Sequence, residues 1–197
     1  MPTALLSAAL LTLPSCTETP PPPSTEQAAS RTYKPGVPGS VAVETTTVTA
    51  NVASVFNSTR EVVLDVPGNK RVTVTCGPEV VNFNQIKAGD QVKITYTEQV
   101  AVSMASPNDP PDTDGTTGIV ALAPKGAQPG AVMAATKQVT ATVTAIDMGL
   151  HAATLQFPDG TSRTFAVRPD VDLTKRKVGE KVVIRATDAM AIKVEKP

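Results

Sequence analysis

Residues 34–80 read KPGVPGSVAVETTTVTANVASVFNSTREVVLDVPGNKRVTVTCGPEV, and residues 125–171 return the same pattern without a gap as KGAQPGAVMAATKQVTATVTAIDMGLHAATLQFPDGTSRTFAVRPDV. Pro38-Gly39 meets Pro129-Gly130, Val48-Thr49-Ala50 meets Val139-Thr140-Ala141, and Leu64 meets Leu155. After one residue is dropped from the second copy, Lys87-Ala88-Gly89-Asp90-Gln91-Val92 aligns with Lys177-Val178-Gly179-Glu180-Lys181-Val182. Ile94, Thr97 and Ala101 then meet Ile184, Thr187 and Ala191. Two copies are too few for a solenoid, so each reads as a small domain, residues 34–105 and 125–197.

Within a copy the apolar residues alternate, as half-buried strands require: Val48, Ala50 and Val52, then Val62, Leu64 and Val66, then Val72, Val74 and Cys76. Pro67-Gly68-Asn69 and its counterpart Pro158-Asp159-Gly160 predict a hairpin between the second and third strands. A single helical turn is expected from Pro78 to Gln85 and from Pro169 to Arg176. Strand four follows at Gln91–Thr97 and Lys181–Thr187, and strand five at Val100–Met104 and Ala189–Val194. The expected fold is all-β: two tandem five-stranded barrels resembling OB folds, with an open β-sandwich of the same strands as the alternative.

Outside the copies the composition changes. Residues 1–15 carry an apolar run, Thr3 to Leu13, too short to span a bilayer and suited to a signal-peptide core. Leu13-Pro14-Ser15-Cys16 resembles a bacterial lipobox, which implies diacylglycerol on Cys16. Pro14 and the lack of a basic residue before the apolar run depart from that pattern. Residues 16–33, with four consecutive prolines, read as a disordered tether, and residues 106–124 as a linker. Thr17 after the cysteine resembles the default sorting signal for the outer membrane.

Lys plus Arg equals Asp plus Glu, 18 each, so there is no field to attract polyanions, and nucleic acid is not an expected partner. With Cys16 acylated, Cys76 is an odd thiol, expected to be buried and inert. The chain has one histidine, His151, in a predicted hairpin turn. His151 and Met148 form a candidate soft-metal pair, which a copper carrier would use, although copper-carrying OB domains add a Trp that this chain lacks. The acids Asp109, Asp112 and Asp114 lack the distal Glu that a calcium loop needs. There is no phosphate loop, Cys-x-x-Cys pair or nucleophile elbow.

The arrangement as a whole, with V-T-A-x-V early and K-x-G-[DE]-x-V late in each copy, resembles bacterial envelope lipoproteins built of tandem OB-like repeats. Anchor, tether, repeat and the missing catalytic set together point to a membrane-anchored, non-enzymatic binding or scaffolding protein facing the periplasm. An envelope protein is then the expected partner, and no catalytic residue or cofactor carries over.

Overall fold

A computed structural model describes residues 20–106 and 115–197; Cys16 and the three linker aspartates lie outside them. The chain is all-β. Its strands are β1 (Ser24–Thr32), β2 (Gly39–Phe56), β3 (Glu61–Val66), β4 (Lys70–Thr75) and β5 (Gln91–Met104), then β6 (Gly115–Leu122), β7 (Gly130–Asp147), β8 (Ala152–Gln156), β9 (Ser162–Ala166) and β10 (Lys181–Glu195). Short 3-10 turns stand at Phe83–Gln85 and Leu173–Lys175, where the sequence predicts its helical turns. Threonine and valine dominate the long strands because β-branched side chains pack well on a pleated surface.

The expected hairpins form: β3 pairs with β4 across Pro67-Gly68-Asn69, and β8 with β9 across Pro158-Asp159-Gly160. Gly68, Asn69 and Gly160 take the positive φ that such turns require. Both copies also carry a β-bulge at the same place, between Val52 and Ser54 and between Val143 and Ala145. The extra residue bends β2 and β7, so that the first part of each strand lies in the central sheet and the last part turns into a lobe.

The barrels do not close, and the open alternative describes the strands better. One ten-stranded sheet runs β4-β3-β2-β5-β10-β7-β8-β9, with β1 added to β2 and β6 to β7. The expected strands four and five are a single strand, 14 residues long in β5 and 15 in β10. Thr97-Glu98-Gln99 and Thr187-Asp188-Ala189 contain neither glycine nor proline, so nothing turns the chain back on its own copy. β5 and β10 instead pair antiparallel along their whole length, Gln91 with Glu195 and Met104 with Val182, with Glu98 opposite Asp188 at the centre.

That pairing exchanges the distal halves of the two strands. Ile192 and Val194 of β10 pack in the first lobe, with Ala50, Val52, Val62, Leu64, Phe83, Ile86 and Val92. Val102 and Met104 of β5 pack in the second, with Ala141, Val143, Leu155 and Val182. Each copy therefore completes the other's core. The presumed tether and linker also join the sheet: Ser24–Thr32 pairs with β2 from Thr49 to Val41, and Gly115–Leu122 with β7 from Gln138 to Ala131. Exposed backbone groups of β2 and β7 recruit these segments, since a strand edge offers unpaired donors and acceptors whatever the side chains.

Candidate functional site

The two lobes share a backbone but not a filling. In the first lobe Phe83 is 1% exposed and Ile86 lies beside it. The Arg60 guanidinium stacks 4.6 Å from the Phe83 ring and donates to the carbonyls of Cys76, Gly77 and Val80 at 3.0, 2.7 and 2.8 Å. In the second lobe the same positions of the repeat hold Leu173 for Phe83, Arg176 for Ile86 and Ala153 for Val62. Each change removes apolar bulk from the interior or replaces it with a charged chain. What remains is a cavity of about 360 Å³, walled by Val143, Ile146, Leu155, Phe165, Val182 and Ile184. Such a size and such walls are those of small-molecule sites.

Charged groups also line it: Arg31, Arg168, Arg176 and Glu180. Arg168 is committed. It pairs with Asp170 at 3.0 Å, lies 4.2 Å over the Tyr33 ring, and donates to the carbonyls of Gly39, Val37 and Lys34. The Gly36 amide in turn donates to Asp170 at 2.8 Å. The Arg168 hydrogen bond first, and then the Gly36 N–H, hold the Asp170 carboxyl below the usual carboxylate range. A loop of the first copy, residues 33–39, is thereby fastened along the second lobe. In the first lobe Asn82 does the corresponding work, donating to the Pro124 carbonyl at 2.8 Å and accepting from the Gly126 amide at 3.1 Å.

Glu180 differs from its counterpart. Its Oε1 lies 3.9 Å from Arg176 Nη1, and its Oε2 is buried with no hydrogen-bond partner among the described residues. Neither Glu180 nor Arg176 stands out in the sequence. The signal that could have found them is the mismatch between the copies at Phe83/Leu173 and Ile86/Arg176, which needs the lobe's interior to be known before it has meaning.

The sequence-predicted pair Met148 and His151 does come together on one shallow cleft, with Asp170, Asp172 and Thr174. Met148 is largely exposed, and His151 Nε2 lies 3.1 Å from the Arg168 carbonyl. His151 sits at φ +50°, where the first copy has Arg60 at +55°, and both side chains reach the segment after the hairpin. Asp172 caps the 3-10 turn by accepting from the Thr174 amide at 3.0 Å. The Thr174 side-chain hydrogen bond, then the one from Lys175, lower the Asp172 pKa. Among the described residues no three of His, Cys, Asp and Glu are grouped to hold a metal ion. Cys76 is half-buried against the first lobe, and burial pushes its thiol pKa up.

No family model matches the chain, and no curated protein does. Among solved structures it is similar to the cytoplasmic molybdate-binding protein ModG with molybdate bound. The identity is 16%, over 77% of this chain and 95% of that one, with a TM-score of 0.22. A likeness that slight carries no argument about ligand or location.

Proposed function

We propose that this is a non-catalytic binding protein whose second lobe takes a small, largely apolar molecule, while the filled first lobe serves as its scaffold. The observation that supports this is the contrast between two copies of one fold: the interior closed by Phe83, Ile86 and Val62 in one is a cavity of about 360 Å³ in the other. Such a cavity, open to water and walled by apolar side chains, leaves hydrophobic surface wet that an apolar ligand would cover. The sequence reading supplies the setting. Leu13-Pro14-Ser15-Cys16 supports an envelope lipoprotein anchored through Cys16, presenting the lobes to the periplasm from a membrane.

Installing the first lobe's residues tests the proposal. Leu173→Phe with Ala153→Val fills the cavity, and an uncharged naphthylamine dye titrated against both proteins reports the result by fluorescence. The wild-type protein is expected to bind the dye saturably and the filled variant at least about tenfold more weakly, the order expected when a few buried methylene contacts are lost. Equal binding by the two sinks the proposal. Intact mass of the membrane-extracted chain tests the setting: a diacylated Cys16 at the mature N-terminus supports it, and an unmodified thiol removes it.

A further inference from the structure

We infer that the ligand of the second lobe carries a cationic nitrogen, an ammonium on an apolar body, which pairs with Glu180. The inference rests on the reading of the cavity as a ligand site. The internal repeat supplies its template. In the first lobe Asp90 is 2% exposed, and its carboxylate accepts from the Lys87 amide at 2.8 Å and from the Lys196 ammonium at 2.7 Å. Glu180 holds the same place in the second lobe: its backbone carbonyl accepts from Val143 N at 2.8 Å, as that of Asp90 accepts from Val52 N at 2.8 Å.

The exchanged strands decide what comes opposite each acid. Continuing the β5–β10 ladder one residue beyond Gln91–Glu195 brings Lys196 to Asp90. At the other end the ladder closes at Val182–Met104, and the residues that follow Met104, Ala105 and Ser106, include no lysine to match Lys196. Glu180 Oε2 is left buried without a donor among the described residues, and Arg176 approaches only the other oxygen, at 3.9 Å. A buried carboxylate oxygen without a donor is unfavourable, so a ligand that brings an N–H is selected over one that does not. An apolar body on that ligand occupies the space that Phe83 and Ile86 fill in the first lobe. Arg168, already shared among three carbonyls and Asp170, is not disposed to receive an anion there.

Calorimetric titration of the intact protein at neutral pH with hexylammonium, hexanol and hexanoate tests the inference. Hexylammonium is expected to bind about tenfold tighter than hexanol, the ratio that one charge-assisted hydrogen bond supplies. Glu180→Gln is expected to reduce it to the level of hexanol. Equal binding of hexanol and hexylammonium, insensitive to Glu180→Gln, overturns this inference and leaves the cavity a ligand site. A preference for hexanoate overturns it in favour of Arg176. Failure of all three compounds, together with failure of the naphthylamine dye, overturns the cavity reading and this inference with it.

Discussion

Arg60 and His151 occupy one place in the repeat, both at positive φ, and each holds the segment that follows its hairpin by reaching a backbone carbonyl. Arg60 satisfies three carbonyls and covers Phe83, whereas His151 reaches one, so the two are not equally costly to remove. Arg60→Ala leaves partly buried acceptors unpaired and is expected to lower stability by about 2 kcal/mol, and His151→Ala by about 1 kcal/mol or less, read from urea unfolding midpoints. The reverse order contradicts the assignment. Asp170 gives a pH prediction whose sign follows from its lowered pKa. Contacts of a carboxylate whose folded pKa is depressed persist above the ordinary value and are lost as pH falls through the depressed one. The Gly36 amide resonance should therefore shift with a midpoint below about 3.9, the ordinary Asp value, and a midpoint at or above it removes the proposed fastening. His151 as the chain's sole histidine was legible from sequence; its contact with the Arg168 carbonyl was not, because the partner lies across a hairpin and a loop.

At the scale of elements, the alternation of Val48, Ala50, Val52, Val62 and Leu64 marks strands and their inward faces correctly, because a period of two is a local property. Val72 and Val74 alternate in the same way but are exposed, because β4 is the outermost strand of the sheet. The two hairpin turns were equally legible from Pro67-Gly68-Asn69 and Pro158-Asp159-Gly160. The division of β5 into two strands was not sound. It assumed a turn at Thr97-Glu98-Gln99, where no residue favours one. The long strands carry a cost at their centre, since Glu44 faces Glu98 and Glu98 faces Asp188 across adjacent strands, like charges opposed on one face. Tyr96 stands beside them, 3.4 Å from both Glu98 and Asp188, and its phenol pKa is raised by desolvation first and by the two carboxylates next. β1 has little strand character of its own, STEQAASRT, whereas β6, GTTGIVAL, holds Thr, Ile and Val but follows a Pro-, Asp- and Gly-rich stretch that reads as linker. Their pairing is dictated by the open edges of β2 and β7.

For the whole molecule, exchange of β5 and β10 makes the copies mutually dependent. Residues 20–106 expressed alone lack Ile192, Val194 and Lys196 for their own lobe and present Val102 and Met104 to none. Two such fragments can supply those strands to each other, so the fragment is expected to be a symmetric dimer by light scattering, and a stable folded monomer is the result that refutes the exchange. The sequence by itself determined the duplication, the all-β class, the hairpins and the inward faces of the first two strands of each copy, because each depends on spacing along the chain. Only the tertiary structure decided that the sheet stays open, that each copy finishes the other's core, and that one lobe is filled and the other hollow. Those outcomes depend on which residues meet across strands far apart in sequence. Asp90 with Lys196 is such a meeting, and no local pattern encodes it.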